Sequence, residues 1–269
     1  MDLSPRQLIL SLYGLYARAE ANWLSVASLI ALMADLGVDS AAVRASVSRL
    51  KKRGVLEAER RDGQAGYVLA PGTLALLREG DHRIWSQPRA TAADGWLVVV
   101  FSVPESRRDQ RHALRSQLAR LGFGTAAPGV WIAPGTLYDE TLGVLERQGL
   151  ASYTEFFRGD YLGVGEVTGR VGEWWDLAAI AKEYDELLAA VASLHDAPRP
   201  GTARGDADAF AAYVPMLTAW RRLPYLDPGL PIDALPRDWP GIEAASVFAA
   251  RDRRLRKAAE RHARRVVHG

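Results

Sequence analysis

The stretch from Ser25 to Ala70 constrains the fold more than any other part of the chain, because helices and a hairpin follow one another with short connections. Ser25 is suited to cap an apolar helix that carries Leu29 and Met33, and Gly37 is placed to end it. A second helix is predicted to begin at Asp39 or Ser40, and two β-prone runs come after it. Helix, turn, helix and hairpin in this order predict a winged helix-turn-helix.

The second helix has two chemically different faces. Val43, Val47 and Leu50 recur at i, i+4 and i+7, so one stripe is apolar and is expected to face the core. The opposite side carries small and cationic residues, and a helix with this division fits a DNA groove. The predicted DNA-binding residues of this segment are Ser40, Arg44, Ala45, Ser48, Arg49 and Lys52.

The hairpin is interpreted as the wing. Residues 55–61 and 67–70 are β-prone, and the five residues 62–66 are predicted to connect them. We predict that Arg60, Arg61 and Gln64 reach the flanking DNA backbone or the minor groove.

The charge of this region supports the same interpretation. From Ser40 to Arg61 there are seven Lys or Arg residues and two Glu residues, whereas the whole chain has a formal net charge of only +2. A local cationic excess is expected where a protein meets phosphates. Basic amphipathic helices are also common as solvated faces, and some winged helices bind proteins. A protein-interaction scaffold that does not bind DNA is therefore the alternative function.

The composition excludes several classes of site. The 269 residues include no cysteine, which rules out disulfides, thiolate metal ligands, iron–sulfur clusters and cysteine nucleophiles. The longest apolar runs are far shorter than the roughly 20 residues that span a bilayer. The first residues lack the pattern of a secretory signal, so we expect a cytoplasmic protein with no membrane partner.

The rest of the chain predicts two further domains. From residue 96 to about residue 165, strands and helices alternate as βαββαβ, which is the ferredoxin-like order. The remainder has helical periodicity. We therefore predict an α+β protein with a winged helix-turn-helix domain at residues 1–90, a central ferredoxin-like domain at residues 91–170 and a helical C-terminal domain at residues 171–269.

The C-terminal part is predicted in less detail. Helices are expected over residues 175–194, 206–220 and 242–267, and a flexible loop is expected over residues 199–206. Gly163, Gly165 and Gly169 do not have the spacing of a phosphate-binding loop and are interpreted as part of a domain linker.

Three segments carry a resemblance to a known family. They are residues 42–50 in the second helix, residues 96–104 at the start of the central domain, and above all residues 223–241 with their run Leu226-Asp227-Pro228-Gly229-Leu230-Pro231. Over essentially its full length the chain resembles the PaaX family of bacterial transcriptional repressors. The resemblance implies a central domain similar to Cas2 and a dimeric repressor of genes for the catabolism of phenylacetic acid and related aromatic compounds.

The resemblance also implies an effector and a form of DNA. Characterised family members are released from their operator by an aryl-CoA thioester such as phenylacetyl-CoA, so we expect an acyl-CoA effector. A two-fold homodimer predicts a double-stranded operator with an inverted repeat, its half-site centres one or more turns of roughly 10 bp apart.

A Cas2-like domain raises the hypothesis of a metal-dependent nuclease. Nucleases of the Cas2 type hold Mg²⁺ with an Asp at the end of the first strand, whereas here the strand runs into Ser102 and Val103, and the first carboxylate is Glu105. A hard cation requires charged oxygen ligands. We therefore assign no catalytic residue, no metal and no cofactor, and we expect no enzymatic activity.

Aromatic residues of the C-terminal part are candidates for effector binding. Trp220, Tyr225 and Trp239 are suited to line an apolar pocket, and Arg221 and Arg222 to meet a negative charge. Core packing explains the same aromatic residues more simply.

Two further sets of residues have a structural and a functional interpretation. The last helix is rich in arginine, which indicates a solvated face or a role toward phosphates or a dimer partner. The five histidines show no metal-ligand spacing, and we expect each of them to lie on the surface.

Overall fold

The structure, a computed structural model, describes residues 3–85, 89–163, 166–192 and 201–269. The chain is divided into two compact units. The first unit comprises Met1–Ile84, Asp185–Arg221 and Ile242–Gly269, and the second comprises Trp85–Tyr184 and Arg222–Gly241. The three-domain division at residues 90 and 170 stays a prediction.

The N-terminal part of the first unit has the order of a winged helix. Its elements are α1 (Pro5–Leu15), β1 (Trp23–Ser25), α2 (Val26–Ala34), α3 (Ser40–Lys52), β2 (Leu56–Arg61), β3 (Gln64–Leu69) and α4 (Pro71–Trp85). The cap predicted at Ser25 is present, since the backbone N–H of Ser28 donates to Ser25 Oγ at 2.9 Å. Helix α3 is also capped, because the backbone N–H of Ala42 donates to Asp39 Oδ1 at 2.9 Å.

The wing differs from its prediction in the length of its turn. Strands β2 and β3 pair in register from Arg61↔Gln64 to Leu56↔Leu69, so only Asp62 and Gly63 connect them and the five-residue connection is wrong. Both turn residues have positive φ, 47° and 75°, as an Asp-Gly hairpin turn requires.

A strand that sequence patterning did not predict holds the wing to the core. Strand β1 pairs with β3, giving the order β1-β3-β2. The indole ring of Trp23 lies over Gly66, where an added Cβ would come within 2.3 Å of it. Gly66 is therefore a strand residue that makes room for Trp23, and the glycine that suggested a longer loop has a packing role.

Two long helices from the C-terminal part belong to the same unit. They are α9 (Ala203–Trp220) and α11 (Pro240–His268), the latter mostly within this unit. The Thr218 hydroxyl of α9 donates to the Ser11 hydroxyl of α1 at 2.7 Å, and Phe210 of α9 packs against Tyr16. The core of this unit thus joins the winged helix to helices from the far end of the chain.

The second unit contains the predicted ferredoxin-like sheet. Its elements are β4 (Trp96–Phe101), α5 (Arg108–Arg120), β5 (Gly124–Ala127), β6 (Val130–Pro134), α6 (Tyr138–Arg147) and β7 (Thr154–Gly159). The strands pair antiparallel in the order β5-β6-β4-β7, which confirms the βαββαβ topology. Leu97 and Val99 face a core that also holds Leu114 and Leu118 of α5 and Leu145 of α6.

The helices after the sheet correct two predictions, for Gly169 and for residues 203–206. Helix α7 (Val167–Trp174) contains Gly169, so this glycine lies in a helix rather than in a linker. Helix α8 (Leu177–Ala192) is separate from α7, and the predicted residues 193–194 lie outside the described residues. Residues 203–206 form the first turn of α9 because Thr202 caps the helix, while residues 199–200 of the predicted loop lie outside the described residues.

The segment 223–241 is organised around one buried carboxylate. It contains the short helix α10 (Leu223–Leu226) and then mostly irregular backbone. Asp227 accepts hydrogen bonds from Arg89 Nη2 at 2.5 Å, the Tyr184 hydroxyl at 3.0 Å and Trp239 Nε1 at 3.2 Å. Burial and the neighbouring carboxylate raise the pKa of Tyr184 far above its usual value, so this hydroxyl stays a donor.

None of the described helices is both long and apolar enough to span a bilayer.

Candidate nucleic-acid interface

Helix α3 separates a buried back from a charged front, as its sequence predicts. Val43, Val47 and Leu50 are at most 3% exposed and form the back of the helix. All six residues predicted on the front are exposed. They are Ser40, Arg44, Ala45, Ser48, Arg49 and Lys52.

The cations on this front are available to a partner. Arg44 and Lys52 make no ion pair or hydrogen bond with the part of the chain that the structure describes, whereas Arg49 Nη2 donates to Ser46 Oγ at 3.0 Å. A hydrogen bond to a hydroxyl orients the guanidinium without neutralising it. The arrangement offers planar donors and point charges to base edges and phosphates.

The three wing residues are used differently. Gln64 is exposed next to the turn, and Arg60 Nη2 donates to the carbonyl of Gly63 at 2.7 Å, which holds this arginine at the wing tip. Arg61 is turned toward the protein: its Nε is 2.6 Å from Glu59 Oε1, and its guanidinium lies 5.5 Å from the centre of the Trp23 ring. The DNA contact predicted for Arg61 is untested, and these contacts within the protein favour a role in holding the wing instead.

The sequence also contains basic residues near this surface that were not predicted as contacts. Lys51 lies over the Tyr67 ring at 5.7 Å, and Arg53 is exposed at the end of α3. The run Lys51-Lys52-Arg53 was the available signal, because a cluster of cations at a helix C-terminus is visible without coordinates.

The five residues predicted for effector binding belong to two different units. In the first unit, Trp220 stacks on Phe248 with ring centres 4.4 Å apart and donates to the carbonyl of Ile84, and Arg221 donates to the carbonyl of Gln7. These contacts are of the kind that packing and helix docking require.

In the second unit, Trp239 is buried and donates to Asp227, Arg222 lies 3.5 Å from Glu183, and Tyr225 is half-buried. Trp239 therefore takes part in the carboxylate cluster described above. Effector binding by the five residues stays a prediction.

The histidines are mostly exposed, with one exception. His82, His112 and His268 are exposed, and His195 lies outside the described residues. The side chain of His262 is only 12% exposed and its Nε2 is 2.7 Å from Asp35 Oδ2, so the expectation of a surface residue is wrong there. The apolar neighbour Phe210 covers the ring.

The end of the first sheet strand bears on the nuclease hypothesis. Strand β4 ends at Phe101, and Arg111 of α5 binds Glu105 at 2.9 Å, so the first carboxylate after the strand is engaged by a cation. Across the described ranges, three or more His, Cys, Asp or Glu side chains are nowhere grouped to hold a metal ion.

The architecture on which these residues lie has three recognisable parts: a winged helix, a ferredoxin-like sheet and a largely helical C-terminal part. Residues 4–72 match the family described as PaaX-like protein, residues 89–171 match the PaaX protein central Cas2-like domain, and residues 175–265 match the PaaX-like protein C-terminal domain. The chain belongs to the PaaX family.

One curated relative and one solved structure are similar to this chain. The chain is 27% identical over 253 residues to the transcriptional repressor PaaX of Escherichia coli strain K12, covering 91% of this chain and 78% of the relative. The fold is similar to that of the uncharacterized protein Rv0674 from Mycobacterium tuberculosis, with a TM-score of 0.59 and 24% identity over 98% of this chain and 99% of the other.

Proposed function

We propose that this protein is a homodimeric, DNA-binding transcriptional repressor. The observation that carries the proposal is the exposed front of α3, where cations without acidic partners stand on a capped helix with a buried back. Membership of the PaaX family and the repressor among its relatives support the same function.

In this proposal α3 enters a major groove. Arg44 and Arg49 carry the planar guanidinium that pairs with guanine edges, and Ser48 and Lys52 contribute shorter or more flexible donors. The wing places Arg60 and Gln64 toward the flanking backbone or minor groove. Two copies related by a two-fold axis would read an inverted repeat.

The effector that we propose is an aryl-CoA thioester such as phenylacetyl-CoA, and the genes controlled are those of aromatic-acid catabolism. Support for both comes from the family. Release requires tighter binding of the thioester to the form of the dimer that does not bind DNA, typically with a coupling of about 1–3 kcal/mol.

A mobility-shift titration tests the proposal. The purified protein is titrated on the DNA upstream of its own gene and on an unrelated duplex of equal length, with and without phenylacetyl-CoA. We expect a shift specific to the upstream DNA that the thioester abolishes. A specific shift that ignores the thioester would remove the effector and keep the repressor, and no specific shift would favour the interaction scaffold.

A further inference from the structure

Helix α11 carries a dense line of cations that lies outside the winged helix in sequence. Every exposed residue from position 253 to position 265 is charged, and only Glu260 among them is acidic. We call the six exposed cations that line one side of this segment the α11 ridge. They are Arg253, Arg254, Lys257, Arg261, Arg264 and Arg265.

Most of the charge of the ridge is not neutralised. Arg253, Arg254 and Lys257 make no ion pair with any residue that the structure describes. Arg261 and Arg265 share the single carboxylate of Asp206, at 2.7 and 2.8 Å. Six cations thus face two carboxylates, because Glu260 pairs only with Arg264.

The C-terminal end of α11, just beyond the ridge, adjoins the wing within the first unit. His268 Nε2 lies 3.0 Å from Glu20 Oε1, and Arg61 of the wing donates to the backbone carbonyl of the same Glu20 at 3.3 Å. His262, also on α11, forms a hydrogen bond with Asp35 at the end of α2. The ridge is therefore fixed to the module that carries the predicted DNA contacts.

The chemistry of the ridge fits a phosphate backbone better than a protein surface. Protein interfaces are centred on buried aromatic or aliphatic anchors. The exposed large hydrophobic residue of α11, Ile242, lies eleven positions before the ridge begins. Flexible cations with no apolar anchor among them are what the evenly spaced charges of DNA recruit through counterion release.

We propose that the α11 ridge is a second DNA-binding surface, which contacts phosphates of the duplex flanking the sequence read by α3. This inference rests on the proposed function, because it extends the DNA contact of the same unit. The ridge adds affinity and salt dependence without adding base specificity.

The test compares two triple variants with equal loss of charge. The ridge variant is Arg253→Gln/Arg254→Gln/Lys257→Gln. The control variant is Arg115→Gln/Arg120→Gln/Arg237→Gln, whose three cations are exposed in the second unit and make no ion pair with a described residue. Affinity for a duplex of about 60 bp from upstream of the gene is measured by fluorescence anisotropy over a salt series, after thermal unfolding has verified that both variants fold.

For the ridge variant we expect the slope of log K against log[salt] to become shallower by about 1 to 2.7, since each phosphate contact contributes about 0.9. The control variant should keep the wild-type slope. An unchanged slope in the ridge variant, or an equal change in the control, would overturn the inference and leave the proposed function intact. Absence of any wild-type binding would overturn both.

A second measurement needs no variant. The wild-type slope is compared on the duplex of about 60 bp and on a central duplex of about 20 bp that retains the specific site. We expect the shorter duplex to give the shallower slope, because it lacks the flanking phosphates. Equal slopes on the two duplexes would contradict the ridge contact even if the triple variant failed to fold.

Discussion

Arginines on the front of α3 and the arginine at position 89 show two opposite uses of the same side chain. Arg44 is exposed and makes no ion pair with a described residue, whereas Arg89 is bound to the buried carboxylate of Asp227 and to the carbonyl of Leu230. The charge of Arg44 is available to a binding partner, whereas the charge of Arg89 is neutralised within the fold. Cations therefore indicate function only where the surrounding structure leaves them unpaired.

The same contrast separates neighbouring residues of the wing. Arg60 is held only by a backbone carbonyl and keeps its charge exposed. Arg61 lies against the Trp23 ring and is paired with Glu59, so it holds the turn end of strand β2 to the rest of the unit. Two adjacent arginines that looked equivalent in the sequence thus have different surroundings.

The largest effect on stability is expected when an arginine that is paired inside the fold loses its carboxylate. Asp227→Ala would leave Arg89, the Tyr184 hydroxyl and the Trp239 indole without their acceptor. We expect the free energy of unfolding, measured by urea denaturation, to fall by about 3 kcal/mol. Asp238→Ala, an exposed acidic residue of the same unit, should change it by less than about 0.5 kcal/mol. Equal losses in the two variants would contradict the central role of Asp227.

An arginine without an acidic partner should affect DNA binding and leave stability unchanged. Arg49→Ala is expected to weaken specific DNA binding by about 2 kcal/mol, because a guanidinium facing a base edge is lost, while the stability of the fold is unchanged. Binding to the upstream DNA and to an unrelated duplex is compared, with Arg120→Ala as the control. Equal weakening on both duplexes would make Arg49 a phosphate contact instead.

The two neighbouring arginines of the wing, Arg60 and Arg61, allow the same comparison between an available and a paired charge. Arg60→Ala should make the salt slope of DNA binding shallower by about 0.9, as loss of one phosphate contact does. Arg61→Ala should leave that slope unchanged and lower the free energy of unfolding by about 1 kcal/mol, since a cation–π contact and an ion pair are lost. A shallower slope for Arg61→Ala would place this side chain on the DNA.

The smallest effect concerns the carboxylate of Asp206, which pairs with two arginines of the α11 ridge. Hydrogen bonds from Arg261 and then Arg265 lower the pKa of Asp206 below its usual value. A lowered pKa in the folded state contributes stability that is complete above the unfolded pKa of about 3.9 and is lost as the pH falls through the folded pKa. Asp206→Asn should therefore be less stable than the wild type near neutral pH, and the difference should shrink in the acidic range. A constant difference in thermal unfolding across that range would contradict this origin.

Local patterns predicted most of the elements. The cap at Ser25 and the apolar spacing of Val43, Val47 and Leu50 are short-range features, so the helices of the winged helix could be placed from them. The strand β1 was missed because three residues carry too little periodicity, and the turn of the wing was misjudged because Gly66 resembles a loop glycine. Its packing against Trp23 is a contact between residues far apart in the chain.

By itself the sequence determined which faces are apolar, which segments are basic and, through residues 223–241, the family. Only the tertiary structure decided which arginines have no acidic partner, because the carboxylates that neutralise an arginine come from elsewhere in the chain. Asp227 reaches Arg89 across 138 positions and Asp206 reaches Arg261 across 55, and no local pattern encodes such pairs. The difference between a candidate DNA contact and a structural ion pair is therefore a property of the folded chain.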